Sequence, residues 1–475
     1  MLYEGTSAKK HLTRLLVVTA IGVYFLIVIG ATTALLSKAV ACTTWPACNG
    51  NWVVPLTLQD PALLTAWLHR VATLIVGGLV SLTVIATWIT GAPERIKYAI
   101  GITAILFPVQ IILGAYTAIN SAPIILTAIH LIVAMIIFTS ILVALLWQLE
   151  SENTTDDSIV SPDPNSINEG HESPNYTINP SSTGNEQSFS DRLKGYIELM
   201  KPKLMWLLCL VAIAAMGLAG GSSLNLITVG GTLLGGVLAI GASGTFNNII
   251  ERDVDRQMNR TNDRPLVEGR IPLRNAIIFG FFLTLASISV FLVLVNILAA
   301  LLGFLAILFY SVVYTVILKP NTTQNIVIGG AVGAFPALIG WAAVTNTIGI
   351  PAIVLGTIIF LWTPAHFYNL ALAYKEDYAR GGFPMLPVVH GETTTRRHIL
   401  LYFGATMISA VILGAITRLD VLYAVTATLL GAIFLWELIH QYQEQTEEAA
   451  LRTFHASNVY LGFLLVAIAV DSIVI

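Results

Sequence analysis

Thirteen apolar runs, each about 20 residues long, constrain this chain more than any other feature of its sequence. A run of that length crosses a bilayer as one α-helix, because a helix rises about 1.5 Å per residue and the hydrocarbon core is about 30 Å thick. Hydrophobic residues make up 56% of the chain and charged residues 11%, which excludes a single soluble core. The sequence therefore predicts an all-α, polytopic membrane protein.

The predicted spans form a group of four and a group of nine. They lie at about 15–37, 63–90, 99–118, 125–148, 204–220, 225–248, 275–297, 299–318, 325–344, 350–372, 398–416, 421–440 and 458–475. The first run lacks a small-residue cleavage site, which favours a retained helix over a removable signal peptide. Residues 150–191 are rich in Ser, Asn, Pro and acids, a composition typical of disorder. We predict a four-helix domain over 1–149, a disordered cytoplasmic linker over 150–191 and a nine-helix domain over 192–475.

The basic residues predict the orientation in the membrane. With the N-terminus in the cytoplasm, all 24 Lys and Arg residues lie on the cytoplasmic side except Lys38, Arg70 and Arg418. An odd number of spans then puts the C-terminus outside. We predict a multi-pass protein of the plasma membrane, surrounded by membrane lipid. The net charge of −3 gives no indication of a nucleic-acid partner.

The stretch NNIIERDVDRQMNRTNDRPLVEG, residues 247–269, is densely charged and lies between two apolar runs. If it begins as the end of a helix, Asn247, Glu251 and Asp255 share one face, because residues four apart are neighbours on a helix. Mg²⁺ prefers oxygen ligands and commonly combines carboxylates with phosphate oxygens of a substrate. We interpret the three residues as metal ligands and catalytic residues. A solvated loop at the membrane surface is the alternative.

Cationic side chains suited to phosphate accompany this stretch. The candidates for diphosphate binding are Lys201, Arg256, Arg260, Arg264, Lys319 and Lys375. For Lys201 and Lys319, an ordinary position at the membrane interface is the alternative. A second charged stretch on the same side, YKEDYARGGFPMLPVVHGETTTRR, carries Glu376 and Asp377. Two acid-bearing helix ends that face each other would form a two-cation diphosphate clamp.

These stretches resemble the UbiA superfamily of intramembrane prenyltransferases. Residues 247–269 resemble its first aspartate-rich motif. KPNTTQNIVIGGAVGAFPALIGWAAVT (319–345), WTPAHFYNLALAYKEDYARGGFPMLPVV (362–389) and LMKPKLMWL (199–207) resemble its protoheme IX farnesyltransferase, or haem O synthase, family. The resemblance covers 195–475. It implies that the nine-helix domain binds farnesyl diphosphate through Mg²⁺ and transfers the farnesyl group to the vinyl group of haem B, with hydration, giving haem O for terminal oxidases.

The resemblance assigns Asn247, Glu251 and Asp255 to the first motif and Asp377, as a further metal ligand and catalytic residue, to the last acid of the second. Four residues before that last acid, where many relatives have another, stands Ala373. The second metal cage therefore has one ligand fewer, neighbouring Glu376 or Lys375 could take part differently, and the number of bound metals stays open.

Three histidines in predicted membrane helices are candidate haem ligands. His366 follows a proline within its span, and an ionisable residue there indicates function, with a hydrogen-bonded structural role as the alternative. His69 and His130 lie near the outer ends of the second and fourth spans, where two imidazoles at one depth could ligate haem iron from both sides. Outside the membrane, Cys42 and Cys48 can close a short disulfide in an oxidising compartment.

The first 149 residues resemble half of another family. CTTWPACNG, LHR, FPVQIILGAYTA and AIHLIVA are similar to one four-helix half of the haem A synthase family, over about 14–148. Relatives often have Glu three residues before the His-Arg pair, and this sequence has Ala66. The resemblance implies haem binding or haem handover rather than oxidation of haem O, with haem A synthase or terminal oxidase assembly as possible partners.

Two other functions fit parts of the sequence. A UbiA-type prenyltransferase with a quinone precursor or a lipid alcohol as acceptor would use the same acids and cations. A haem carrier without catalysis would need neither, because it handles no diphosphate. The acidic motif therefore favours the enzyme.

Overall fold

The computed structural model describes residues 2–35, 42, 44–48, 51, 61–120, 124–156, 189–417 and 419–474. Within these ranges the regular structure is helical, apart from one isolated bridge between Cys48 and Asn51. Among the described residues, thirteen segments are long and apolar enough to cross a membrane. The predicted all-α, multi-pass architecture is thereby confirmed.

The helices follow one another in the order α1 to α18. They are α1 (Leu2–Leu35), α2 (Pro61–Ile89), α3 (Glu94–Ile119), α4 (Ile124–Asp156), α5 (Phe189–Leu199), α6 (Pro202–Gly220), α7 (Leu226–Asp255), α8 (Leu273–Leu294), α9 (Ile297–Leu308), α10 (Lys319–Asn321), α11 (Asn325–Gly329), α12 (Ala331–Thr345), α13 (Ile350–Ala373), α14 (Lys375–Arg380), α15 (Leu386–Val389), α16 (Glu392–Ile416), α17 (Val421–Glu444) and α18 (Glu447–Val474). A π-helix over Phe309–Leu318 joins α9 to α10.

The predicted linker is shorter at both ends than the sequence indicated. Helix α4 continues to Asp156 and α5 begins at Phe189, while 157–188 lie outside the described residues, as do Lys38 and Arg418. An ion pair supports the extension of α4, because Glu150 lies 2.7 Å from Arg397 of α16. The remaining division into domains stays a prediction.

Helices α1 and α4 pack against α16 and α17, so the two groups of helices form a joint core. Tyr24 and Phe138 lie at this contact with ring centroids 5.4 Å apart. The close approach requires a small residue on the other side. A Cβ at Gly404 of α16 would lie 2.8 Å from Leu142 Cδ1 of α4.

Helix α7 occupies the centre of the second group, in contact with α6, α8, α9, α12 and the π-helix. Its glycines permit this packing. A Cβ at Gly244 would lie 3.0 Å from the carbonyl oxygen of Leu199, so no larger residue fits there without a shift of backbone. Glycine thereby brings Lys201, at the start of α6, beside the last turns of α7.

Candidate functional site

The last three turns of α7 carry a buried row of polar side chains, which we call the α7 ladder: Asn247, Glu251 and Asp255. Their exposed fractions are 2%, 4% and 2%. As the spacing predicts, the three lie one turn apart on one helix that ends at Asp255. Two buried carboxylates at a helix C-terminus are unfavourable on their own, because burial and the helix dipole both oppose negative charge there. Compensating cations are required.

Three cations from different elements contact the ladder. Lys201 donates a hydrogen bond to the amide oxygen of its asparagine. Lys319 Nζ lies 2.5 Å from Glu251 Oε1. Arg264 lies 2.5 Å from Asp255 Oδ2 and 3.8 Å from Glu251 Oε2. Desolvation lowers the pKa of Lys201 to about 7. Three cations facing two carboxylates leave a positive balance when all are ionised, which suits an anionic ligand.

An apolar pocket opens directly beside the ladder. It holds about 760 Å³ of empty space, part of it open to the surroundings, and lies among α6, α7, α9, α12 and the start of the π-helix. Thr232, Gly236 and Ser243 line it from α7, on the face that continues into the ladder. Lys201 and Tyr310 also line this pocket and belong to elements that contact the ladder. A ligand with an apolar chain and a charged head group could place the chain in this pocket and the head group at the ladder.

The apolar run 299–318 predicts a plain α-helix, whereas the structure has a π-helix over Phe309–Leu318. π-Helical turns occur frequently at functional sites. Here the π-helix carries Tyr310 of the pocket wall and Thr315, whose hydroxyl accepts a hydrogen bond from Asn247 Nδ2 at 3.1 Å. It ends next to Lys319. Periodicity gives no signal for it, because the run 299–318 is apolar almost throughout and shows no polar face whose spacing could reveal a wider turn.

The second acidic stretch contacts the loop after α7. Asp377 of α14 accepts backbone hydrogen bonds from Arg260 at 3.0 Å and Asn259 at 3.4 Å, and pairs with Arg380. Burial opposes its ionisation, but these hydrogen bonds outweigh it and hold the pKa of Asp377 below its usual value. In the part of the chain that the structure describes, no three His, Cys, Asp or Glu side chains group closely enough for a metal. The two-cation clamp stays a prediction.

The other predicted phosphate ligands lie apart from the ladder. Arg260 stacks over two tyrosine rings, with its guanidinium 5.0 and 5.1 Å from their centroids. Arg256 lies near the surface and pairs with exposed Asp253. Lys375 pairs with Glu392 at 3.1 Å. Of the three arginines predicted after α7, the structure therefore brings only Arg264 to the ladder.

His366 is buried in α13 among aromatic side chains. Its ring stacks on Trp362 at 4.2 Å and on Phe454 at 4.1 Å between centroids. Its Nδ1 lies 2.6 Å from the hydroxyl oxygen of Ser457. Both ring faces are covered, so these contacts favour the structural alternative. Haem contact at His366 stays a prediction.

In the first four helices, His69 of α2 and His130 of α4 have buried Nδ1 atoms without a hydrogen-bond partner among the described residues. Gln110 Nε2 lies 3.1 Å from the other nitrogen of His130. Each ring lies against a glycine, since a Cβ at Gly30 or Gly114 would lie 3.1 or 3.0 Å from a ring carbon. Orphaned buried imidazole nitrogens are unfavourable in a finished core. Haem ligation by His69 and His130 stays a prediction.

The structure contains the Cys42–Cys48 disulfide, with the Cα atoms 4.7 Å apart. Arg70 of α2 holds this loop by donating to the carbonyl oxygens of Ala47 at 2.9 Å and Cys42 at 3.1 Å. Ala66 is buried against the disulfide in the same small apolar cluster. The position where relatives often have Glu therefore serves packing in this chain.

Comparisons with known proteins identify relatives of both groups of helices. The family model described as the UbiA prenyltransferase family matches residues 207–464, and that of the cytochrome oxidase assembly protein family matches 3–142. The protoheme IX farnesyltransferase of Haloarcula marismortui is 54% identical over 98% of this chain and 99% of its own length. Protoheme IX farnesyltransferase 1 of Natronomonas pharaonis is 53% identical over 97% and 98%.

A solved structure described as a digeranylgeranylglyceryl phosphate synthase resembles the fold. Its TM-score is 0.51 at 18% identity, and the match covers 60% of this chain and all of that one. At that identity the likeness supports the arrangement of helices and nothing about the ligand.

Proposed function

The chain belongs to the UbiA prenyltransferase family, and from this premise we propose that it transfers the farnesyl group of farnesyl diphosphate to the vinyl group of protoheme IX, giving haem O. Relatives with the name protoheme IX farnesyltransferase match it along nearly its whole length at 54% and 53% identity. Such matches favour haem B as acceptor over a quinone precursor or a lipid alcohol. They also favour an enzyme over a non-catalytic haem carrier.

The observation that carries the proposal is the continuity of one face of α7. Its earlier turns, from Thr232 to Ser243, line an apolar pocket, and its last turns carry the buried ladder with three cations. A prenyl diphosphate has a matching arrangement, an apolar chain joined to a charged head group. Burial of the apolar chain in the pocket is favourable by about 25 cal/mol per Å² of surface removed from water. The negative head group would lie beside the three cations of the ladder.

The ladder offers a hard divalent cation the oxygen donors that such cations prefer, and the neighbouring cations suit the diphosphate that would bind together with the metal. Asn247, Glu251 and Asp255 would hold Mg²⁺, which when bound stabilises the charge of a departing diphosphate. Asp377 remains a candidate for a second cation. It also accepts backbone hydrogen bonds from the loop after α7 and so connects that loop to α14.

The cationic side chains contribute binding and charge stabilisation. Lys201, Lys319 and Arg264 face the ladder, and they balance the charge that develops on the diphosphate as the allylic C–O bond breaks. Arg260 lies on the neighbouring loop and remains a further candidate. The pocket wall keeps water from the allylic cation until the electron-rich vinyl group has attacked it. Water then adds to the resulting carbocation and loses a proton to the released diphosphate, so that a hydroxyl group remains on the product.

For the first four helices we propose haem binding through His69 and His130, with handover to or from the prenyltransferase site. The orphaned Nδ1 atoms support this role. Oxidation of haem O is not proposed, because the position of the missing acid is packed under the disulfide. We assign this role to α1–α4 and prenyl transfer to 192–475, with the linker between the end of α4 at Asp156 and the start of α5 at Phe189. Haem A synthase or a terminal oxidase assembly would consume the product.

We place the protein in the plasma membrane with the N-terminus and the prenyl-transfer site in the cytoplasm and the C-terminus outside. The distribution of Lys and Arg supports this orientation. The Cys42–Cys48 disulfide supports it as well, because disulfides persist in oxidising compartments. Both cysteines belong to the segment between α1 and α2, which this orientation puts outside.

One reaction tests the function. Purified protein is incubated with haem B, farnesyl diphosphate and Mg²⁺, and the pigment is analysed by mass. We expect haem O to appear, and to be absent when Mg²⁺ is chelated or when farnesyl diphosphate is left out. A quinone precursor offered in place of haem B should remain unprenylated. Unchanged haem B beside a prenylated quinone precursor would overturn the proposed acceptor.

A further inference from the structure

We propose that Thr315 is a positioning residue, which holds the amide of Asn247 with its oxygen toward the ladder and its NH₂ group away from it. The inference rests on the proposed function in so far as the ladder binds a metal and a diphosphate. It concerns a residue of the π-helix, Phe309–Leu318, that no charge pattern singles out. Thr315 is 3% exposed and Asn247 2% exposed, so water cannot substitute freely for either partner.

The hydrogen bonds around Thr315 permit a single orientation of the amide. Its hydroxyl donates to the carbonyl oxygen of Tyr310 at 2.9 Å, and a carbonyl oxygen can only accept. The one hydroxyl proton is thereby used, and only acceptor lone pairs remain for Asn247. The group 3.1 Å away on Asn247 must therefore be the NH₂ donor. The amide oxygen then lies on the other side.

Protonated Lys201 supports the same assignment. In that form its side chain has donors and no acceptor, and it contacts the amide oxygen of Asn247. In the ligand-bound site, however, this lysine is a candidate for the diphosphate. Thr315 has no such second role, since both of its hydrogen bonds are made within the protein. It therefore keeps the amide oriented while the charged groups exchange partners.

The π-helix explains why a threonine can do this here. Buried threonines of the neighbouring helices donate to the carbonyl four residues back, as Thr245 does to Gly241 at 2.8 Å. Thr315 instead donates to the carbonyl five residues back. The wider turn places the carbonyl oxygen of Tyr310 where the hydroxyl of Thr315 donates to it, and the lone pairs of that hydroxyl then remain available to Asn247. An amide turned the other way would present N–H donors to a bound cation and repel it.

The test compares Thr315→Val, which keeps the shape and loses the hydroxyl, with Thr315→Ser, which keeps the hydroxyl. Mn²⁺ serves as a spectroscopic substitute for Mg²⁺, and its binding in the presence of inorganic diphosphate is titrated by electron paramagnetic resonance. Haem O formation is measured in parallel over a range of Mg²⁺ concentrations. Thr245→Val is the matched control, because that hydroxyl only contacts its own helix.

We expect Thr315→Val to weaken Mn²⁺ binding roughly 10-fold or more, the usual effect of removing a residue that orients a metal ligand. Thr315→Ser should restore binding to within about threefold, and Thr245→Val should leave it unchanged. The Mg²⁺ concentration for half-maximal turnover should rise in parallel with the Mn²⁺ dissociation constant. A purely structural role would instead lower the melting temperature without moving that concentration.

A second background makes the test specific. In the Asn247→Asp variant, either of the two equivalent carboxylate oxygens can face the metal, so the side chain no longer needs to be held in one orientation. In that background Thr315→Val should change Mn²⁺ binding by less than about threefold. An unchanged Mn²⁺ affinity in Thr315→Val alone, or the same loss in both backgrounds, overturns the positioning role. If wild-type protein binds Mn²⁺ and diphosphate but makes no haem O, the proposed acceptor is wrong. The positioning role of Thr315 is still tested in that case, because the Mn²⁺ titrations do not require haem O formation.

Discussion

Glu251→Gln removes one charge from the ladder with the smallest change of shape. The carboxylate is 4% exposed and lies 2.5 Å from Lys319 and 3.8 Å from Arg264. Two unit charges 4 Å apart interact by about 4 kcal/mol at an effective dielectric constant of 20. Loss of a comparable interaction with the metal and diphosphate complex corresponds to roughly 10²- to 10³-fold in rate. We expect kcat/KM for haem O formation to fall by that factor.

The fold should survive, since Lys319 keeps a neutral acceptor and remains 4.4 Å from the ring centroid of Phe383. Size-exclusion chromatography and thermal unfolding check this point. The matched control is Asp253→Asn, two residues along the same helix end but 72% exposed, which should stay within about twofold of wild type. Turnover of Glu251→Gln within about threefold of wild type would refute the reasoning, as would equal losses in both variants.

Three further outcomes are expected. Gly236→Leu should fill open space in the apolar pocket, because a Cβ there meets nothing within 4 Å, and should lower the use of farnesyl diphosphate more than that of geranyl diphosphate in a competition assay. A membrane-impermeant maleimide should label Cys42 and Cys48 in intact cells only after reduction. His69→Ala should abolish a low-spin haem spectrum of the full-length protein while farnesyl transfer to added haem B persists.

Each outcome has its own control. Gly230→Leu places the same side chain on α7 where a Cβ also meets nothing, but outside the pocket lining, and should leave chain-length preference unchanged. Labelling without reductant would show that the disulfide is not formed in cells. A low-spin spectrum retained in His69→Ala would contradict the paired-histidine site. Equal losses of both diphosphates in Gly236→Leu would indicate a packing defect rather than a shorter pocket.

The sequence determined the membrane architecture and one face of the site, because both depend on local periodicity. An apolar run of sufficient length forms a helix across the bilayer regardless of its neighbours, and thirteen such segments are present in the described ranges. Residues four apart share a face in any α-helix, so the spacing of Asn247, Glu251 and Asp255 is sufficient to predict that they form one row. The resemblance to a family added the substrates.

The tertiary structure alone decided which cations face that row and what surrounds it. Arg256, Arg260 and Arg264 are evenly spaced, but α7 ends before them, so helical spacing no longer predicts their directions. Arg256 lies near the surface, Arg260 stacks on tyrosine rings, and Arg264 pairs with Asp255. The π-helix packs against α7, and no local feature of the sequence predicts it. A side chain's partner across the bundle is set by how helices meet, which no single segment encodes.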